Sequence, residues 1–390
     1  MRPGHVLAIL VLFGALVGAR VNAFVGSGVA LTCVAGSLVR TAALAGPELR
    51  LRRQTLFLAA LTLCALCASI PAFLLSPSLA AVQTMVKLGL SLGFVAAISA
   101  MEFSGTEDRT LAIALSLLAV AFCLSRAVVG GDNWYGWLVD NPNTAGMLFV
   151  PGVVCCVAVR DQETNRRSRF LAALAALACA AAVLLSGARA SLVALLVAGG
   201  AFLWLRRFAA RRWLSLSPLP LVLVAIALFT YIYAQLSVVF SAVDFSAVKD
   251  VTGKNLLSGR NEIWPRLIAE IVDRPLLGYG LDAVVGNVTH LELSAHSWYL
   301  QLAYQSGLVG MAGIVLWISG VWRELVLRAR TDRRAAESAA LFLGLLVQDT
   351  FEVSLTQNDV AIGVLGMLVV GVGLQVKPHQ IGSSMHGQRS

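Results

Sequence analysis

The stretch from Ser258 to Gly310 decides how the rest of the chain is organised. It begins S-G-R-N-E-I-W-P-R-L-I-A-E-I-V-D-R-P-L-L-G-Y-G (258–280) and, after a polar interval, ends A-H-S-W-Y-L-Q-L-A-Y-Q-S-G-L-V-G (295–310). Charged, aromatic and glycine residues collect here, whereas the sequence on either side consists mainly of long apolar segments. We therefore expect the chemistry of the protein, if it has any, to be located in this stretch.

The composition predicts a membrane protein. The 390 residues are 58% hydrophobic and 13% charged, whereas a typical soluble domain is about 25% charged. The net charge of +9 does not indicate nucleic-acid binding, because most Lys and Arg residues lie in short loops between apolar segments. The seven cysteines all fall inside apolar segments, so no disulfide is expected.

Windows of about 20 apolar residues predict an all-α polytopic membrane protein with twelve transmembrane helices. The expected spans are 4–19, 22–43, 54–75, 79–100, 110–129, 144–160, 169–186, 189–206, 214–240, 297–321, 335–350 and 358–376. The arginine-rich loops between these spans all fall on one side, which the positive-inside rule assigns to the cytoplasm.

That topology divides the chain into four parts. Residues 1–240 would form nine spans, 241–296 a long external loop, 297–376 three further spans, and 377–390 a cytoplasmic tail. Within the external loop, apolar residues recur at helical spacing from Asn261 to Arg274 and predict an amphipathic helix on the outer leaflet.

Three side chains on the external face are the principal site candidates. His296 lies where the loop re-enters the membrane, and a neutral imidazole could accept a proton there near pH 7. Arg189, in a tight external turn, and Arg260 carry guanidinium groups, which bind phosphate oxygens in a planar, two-pronged way. This combination suits a lipid-anchored phosphate or pyrophosphate beside a base, although a structural histidine and membrane-anchoring arginines fit the same pattern.

Five further residues are secondary candidates: Glu352, Asp349, Tyr279, Trp298 and Lys87. The two carboxylates could orient the histidine or an arginine, the two rings could stack on a sugar, and the lysine could contact phosphate from within the fourth span. His290 is a rival base in a more loop-like context. The external sequence contains no D-x-D or H-x-x-x-H pattern, so no metal site is predicted.

The re-entry point resembles the histidine motif of the O-antigen ligase family. That motif consists of His, then Asn, Ser or Gln, nine residues, and Gly-x-x-Gly, and here it reads His296-Ser297, nine residues and Gly307 to Gly310. Four other stretches also resemble external parts of that superfamily: Ser258-Gly259-Arg260 with Trp264, Pro275 to Gly280, Ser186 to Arg189, and Asn141-Pro142-Asn143, the last expected to cap a helix at Asn143. The resemblance spans roughly residues 130–360.

The resemblance implies a glycosyltransferase acting outside the inner membrane of a Gram-negative bacterium. Proteins of this family take a glycan from undecaprenyl pyrophosphate and transfer it to an acceptor hydroxyl without a metal or another cofactor. In a ligase the acceptor is lipid A-core, and in a polymerase it is another carrier-linked repeat unit. By the same resemblance, His296 would be the general base, and Arg189 and Arg260 would bind the pyrophosphate.

Ser297 is permitted in the motif and does not discriminate, so ligase and polymerase both stay open. A transporter or flippase of lipid-linked oligosaccharide is a rival from another class. Internal repeats and charges spread through many spans would favour that interpretation. The sequence, however, has no convincing repeat, and only Lys87 is a charged residue deep in a predicted span. A non-enzymatic membrane scaffold would tolerate the loss of His296 and Arg260.

Overall fold

In the computed structural model, the described residues are 3–20, 23–44, 53–101, 103, 105–129, 134–139, 141–240, 260–286, 294–355 and 360–375. Within these residues the regular structure is helical. The helices in chain order are α1 Pro3–Arg20, α2 Ala23–Leu44, α3 Arg53–Leu75, α4 Leu79–Ala100, α5 Thr106–Val128, α6 Pro142–Gln162, α7 Arg166–Ser186, α8 Arg189–Phe208, α9 Arg212–Leu216, α10 Pro218–Phe240, α11 Arg260–Asp273, α12 Trp298–Ala329, α13 Arg333–Gln348 and α14 Val360–Val372.

Nine helical stretches in the described part of the chain are long and apolar enough to cross a membrane. The segment from α9 into α10, Arg212–Gln235, counts as one of them, and α2 and α14 contain shorter apolar stretches. The prediction of an all-α polytopic membrane protein is therefore confirmed. The number of twelve spans and the division of the chain into four parts stay predictions, and Ser258, Gly259, His290 and residues 377–390 lie outside the described residues.

The amphipathic segment of the long loop forms α11. Its apolar side chains, among them Ile263, Trp264 and Leu267, are buried in a cluster with Leu300 and Tyr304 of α12. The helix also packs against α10. The apolar face of α11 is therefore covered by the protein, and its position on the outer leaflet stays a prediction.

α12 contains a break that the apolar pattern does not reveal. At Gly307 the backbone has φ 60° and ψ −163°, which are not helical angles. The turn Pro275–Gly280, which follows α11, lies in this break and forms backbone hydrogen bonds on both sides of it. The expected span 297–321 is thus two helical pieces, and the structure continues as helix to Ala329.

A buried ion pair connects α5 and α13 at the helix ends opposite those near Arg260 and His296. Arg334, near the start of α13, donates a hydrogen bond of 2.8 Å from Nη2 to Oδ1 of Asp108 in α5. Both side chains are buried, with relative exposures of 7% and 3%. Asp161 of α6 also forms an ion pair with Arg333, with Nε and Oδ2 2.5 Å apart. These contacts tie α5, α6 and α13 together.

Candidate functional site

The short segment of residues 349–355, which follows α13, holds three helix beginnings together. The backbone N–H of Trp298, the first residue of α12, donates to the carbonyls of Asp349 and Glu352 at 2.9 and 3.1 Å. Arg260, the first residue of α11, donates from Nη2 to the carbonyl of Phe351 at 2.8 Å. Asn143, in the first turn of α6, donates from Nδ2 to Oε1 of Glu352 at 3.2 Å. The 349–355 segment is therefore the centre of the site.

Arg260 is held in place by the 349–355 segment. Its Nη2 lies 3.9 Å from Oε1 of Glu352, and its guanidinium carbon lies 5.8 Å from the ring centroid of Phe351. Burial lowers the pKa of Arg260, Glu352 opposes that effect, and Arg189 adds to it. Nε is buried and has no hydrogen-bond partner among the described residues. A buried, unpartnered N–H of this kind is free to donate to a ligand.

His296 has an unusual backbone conformation directly before α12. Its φ of 47° is the only positive value of a non-glycine residue in the described part of the chain. Such a conformation is costly and is found preferentially at functional sites. The next residue, Ser297, caps α12 by accepting a hydrogen bond from the N–H of Leu300 at 3.4 Å. The histidine ring is therefore placed at the very head of the helix.

The environment of His296 keeps its imidazole neutral at pH 7. Burial, followed by the positive charge of Arg260, lowers the pKa of His296 from 6.5 to about 4. Its Nδ1 is buried and has no hydrogen-bond partner among the described residues. The neutral ring therefore retains a nitrogen lone pair that can accept a proton.

Arg189 is exposed and is the first residue of α8. Two residues later, Oγ of Ser191 accepts a hydrogen bond of 3.0 Å from Nε2 of Gln348, the last residue of α13. This contact brings the start of α8 to the beginning of the 349–355 segment. Arg189 is close enough to Arg260 to affect its pKa, so the structure brings both predicted arginines and His296 to the same ends of the helices.

The two predicted carboxylates are buried in the 349–355 segment, but they have different partners. Glu352 contacts Arg260 directly, as the orienting hypothesis expects of it. Asp349 accepts from the hydroxyl of Ser354 at 2.5 Å. Burial raises the pKa of Asp349 to about 7, Ser354 opposes this effect, and Glu352 adds to it. Asp349 reaches the head of α12 through its backbone carbonyl instead of its carboxylate.

The other secondary candidates have different surroundings. Trp298 is fully buried at the head of α12, so neither face of its ring is open to a sugar in this structure. Tyr279 stacks on Tyr304, with ring centroids 5.0 Å apart, and Arg274 covers it at 4.6 Å. Lys87 is half-buried within α4, a helix that packs against α2, α3 and α14.

Sequence reasoning missed the roles of Asn143 and Phe351. We expected Asn143 to cap α6, but the cap is Asn141, whose Oδ1 accepts from the N–H of Asn143 at 2.9 Å. Pro142 then occupies the first helical position, where its missing N–H costs nothing. The side chain of Asn143 is consequently free to bind Glu352. The two asparagines flanking the proline were the available signal, since either could have been the cap.

Together these features define a polytopic helical membrane protein in which an imidazole, a partly buried guanidinium and a second arginine lie at the same helix ends. Residues 173–315 match the family model described as O-antigen ligase. The match confirms the resemblance to the O-antigen ligase superfamily, and it includes Arg189, Arg260 and His296 but not the 349–355 segment. No curated protein matches the chain significantly. Among the described residues, no group of three or more His, Cys, Asp and Glu side chains is arranged to hold a metal ion.

Proposed function

We propose that the protein is a metal-independent glycosyltransferase that moves a glycan from undecaprenyl pyrophosphate to a hydroxyl of lipid A-core. One observation carries the proposal: the 349–355 segment binds both the guanidinium of Arg260, at the head of α11, and the backbone N–H of Trp298, two residues after His296 at the head of α12. Arg260 and His296 lie in the part of the chain that matches the O-antigen ligase family. A base and an anion-binding group would thus lie at the same helix ends.

In the proposed reaction, the base assists the formation of the new bond and the arginines assist the breaking of the old one. The acceptor oxygen attacks the anomeric carbon of the glycan while the bond from that carbon to the pyrophosphate oxygen breaks. The pyrophosphate leaves with the bonding electron pair, and the acceptor proton passes to His296. General-base catalysis of this kind is typically worth about 10²–10⁴ in rate.

The arginines would stabilise the leaving group. Nε of Arg260 is buried and unpartnered among the described residues, while Nη2 is already held by Phe351 and Glu352. Arg189 contributes an exposed guanidinium at the start of α8. Preorganised donors in a buried site stabilise developing negative charge more strongly than donors in water do.

Binding of the donor would also prepare the base. In the free protein, the positive charge of Arg260 is the second cause of the low pKa of His296. A pyrophosphate bound to Arg260 would offset that charge and raise the pKa of His296. Because a general base works best when its pKa lies near the operating pH, the base would become effective when the donor is present.

The proposed location is the inner membrane, with the reaction on the periplasmic face and both termini in the cytoplasm. The site lies at the ends of the helices opposite the buried contact between Arg334 and Asp108. Arginine-rich connections such as that between α8 and α9 support a cytoplasmic location for the helix ends that carry Arg334 and Asp108.

A transfer assay with purified protein tests the proposal. Wild type, His296→Ala and the matched control His5→Ala would each receive an undecaprenyl-pyrophosphate glycan, with and without lipid A-core, in the presence of a chelator. His5 lies in α1 next to Thr110 and not in the proposed site.

We expect product on lipid A-core with wild type and His5→Ala and none with His296→Ala. Full transfer by His296→Ala would refute the role of the base. Longer carrier-linked chains formed without lipid A-core would instead identify a polymerase.

A further inference from the structure

The break in α12 is an exchange of backbone hydrogen bonds. In a continuous helix, the N–H groups of Leu308 and Val309 would bond to the carbonyls of Tyr304 and Gln305. Here they donate to Pro275 and Leu276, at 2.8 and 3.2 Å. The freed carbonyls of Tyr304 and Gln305 accept from the N–H groups of Tyr279 and Gly280, at 2.9 and 3.1 Å. The helix loses two bonds, and all four backbone groups that would have formed them have new partners. We call this arrangement of residues 275–280 and 304–309 the interlock.

The interlock requires glycine at two positions. Gly307 has φ +60°, and a Cβ there would lie 2.4 Å from the backbone carbon of Leu276. Gly278 has φ +70°, and a Cβ there would lie 2.5 Å from the carbonyl oxygen of Tyr304. In both cases the obstacle is backbone, which a side-chain rotation cannot relieve. Gly307 of the histidine motif and Gly278 of Pro275–Gly280 therefore serve the same contact.

Buried side chains fix the chain beyond the interlock. Nε2 of Gln305 donates to the carbonyls of Leu281 and Ala283, at 3.0 and 3.1 Å. Asp282 accepts from the hydroxyls of Ser76 and Ser78, each at 2.8 Å, in the connection between α3 and α4. The segment after α11 is thus anchored both to α12 and to a second pair of helices.

The interlock connects the two elements that carry Arg260 and His296. α11 has 14 residues and extends about 20 Å from Asp273, beside the interlock, to Arg260. The outer piece of α12 extends about 13 Å from Gly307 to Trp298, next to His296. The two pieces pack together, and Nε1 of Trp264 donates to the carbonyl of Ala295 at 2.9 Å. Their relative angle therefore determines where Arg260 lies with respect to His296.

We propose that the interlock is a positioning device for the transfer reaction, and that Gly278, Gly307 and Gln305 are positioning residues that hold Arg260 in register with His296. The catalytic consequence rests on the proposed function, whereas the geometric consequence does not. A misplacement of about 1 Å between reacting groups can cost about 10²-fold in rate.

Two variants and two controls test this proposal. Gly307→Ala introduces the backbone clash, and Gln305→Met removes two donated hydrogen bonds while keeping the size of the side chain. The matched controls are Gly200→Ala, where a Cβ meets nothing within 4 Å, and Gln83→Met at an exposed position of α4. If Gly307→Ala fails to fold, Gln305→Met carries the test alone.

The geometric readout is the distance between spin labels on α11 and on the inner piece of α12. Labels at Arg266→Cys and Leu316→Cys, both exposed positions, would be introduced after the seven native cysteines have been replaced. We expect one narrow distance distribution in wild type and both controls, and a displaced or broadened distribution in Gln305→Met and Gly307→Ala. An unchanged distribution in both variants would overturn the proposal.

The kinetic readout is kcat and the KM for the donor in the transfer assay. We expect kcat to fall by about 10²-fold in Gly307→Ala and by about tenfold in Gln305→Met, with a raised donor KM because Arg260 is displaced. A changed distance with wild-type kinetics would refute the positioning role. If wild type itself transfers nothing, the proposed function fails, and the distance measurement still decides whether the interlock sets the angle.

Discussion

The pH dependence of transfer tests whether the low pKa of His296 governs the reaction. The pKa of His296 is about 4 in the free protein, compared with 6.5 for an unperturbed histidine. At pH 5 a base with pKa 4 is about 90% neutral, whereas a base with pKa 6.5 is only about 3% neutral. Between pH 7 and pH 5, kcat/KM should therefore fall by only about 10%, whereas an unperturbed histidine would produce a fall of about 25-fold.

The origin of the shift can be separated with Arg260→Met. Burial is the larger cause of the low pKa and Arg260 the smaller one, so removing the charge should recover less than half of the difference between 4 and 6.5. The acid limb of kcat/KM should consequently move up by less than about 1.2 pH units. The acid limb of kcat in wild type should also lie above that of kcat/KM, because bound pyrophosphate offsets the charge of Arg260.

The assay is initial-rate kinetics from pH 4.5 to pH 8 at donor concentrations below and above KM. Folded protein must be monitored in parallel by size-exclusion chromatography. Because the pKa of His296 is lower in the folded state, the unfolded chain takes up the proton first, and stability falls as the pH falls from 6.5 towards 4. Asp349, whose pKa is raised to about 7, could add a second ionisation, and the Asp349→Asn variant removes it.

An acid limb of kcat/KM between pH 6 and pH 7 that persists in Asp349→Asn would refute this reasoning. It would mean that the imidazole is solvated and apart from Arg260 when the protein works. An acid limb that does not move in Arg260→Met would show that the two residues are not electrostatically coupled. Either result would contradict the coupling of His296 to Arg260 that the proposed mechanism uses.

Three further predictions concern the contacts around the site and at the opposite helix ends. Arg260→Lys should raise the donor KM by about 10–150-fold, because one ammonium cannot replace the hydrogen bonds of a planar guanidinium; donor titration of the transfer rate measures this. Glu352→Gln should retain the bond from Asn143 but loosen Arg260, so kcat should fall while the melting temperature stays near that of wild type. Asp108→Asn should destabilise the fold by up to about 3–5 kcal/mol in thermal unfolding, because buried Arg334 loses its nearest carboxylate and retains only Glu337, at 3.9 Å. Glu163→Gln in the more exposed pair with Arg109 should cost about 1 kcal/mol or less.

Much of the fold follows from local sequence patterns. Long apolar windows predicted the helices of the bundle, and the spacing of Ile263, Trp264 and Leu267 predicted α11 within one residue at each end. These features depend on residues three or four positions apart, so they are readable without knowledge of the tertiary contacts. The sequence also singled out His296, Arg189 and Arg260 through the family motif and its external sidedness. Their catalytic and binding roles stay predictions.

Glu352 and Asp349 were candidates from the sequence, but the contacts that form the centre of the site could not be read from it. Arg260 and Phe351 are 91 residues apart, and Asn143 and Glu352 are 209 residues apart. No local pattern reports such pairs, because their contacts exist only after the helices have packed.

The break at Gly307 likewise depends on contacts between distant segments and could not be predicted from a local pattern. The apolar pattern runs through it unchanged, and the break is stable because Pro275–Gly280 replaces the lost hydrogen bonds. In a membrane, every unpaired backbone group is costly, so only a partner segment brought in by the tertiary fold can permit such a break. The sequence by itself thus determined the helices, the resemblance to the O-antigen ligase family and the candidate residues. The tertiary structure decided how those residues meet, because their positions depend on hydrogen bonds between distant segments.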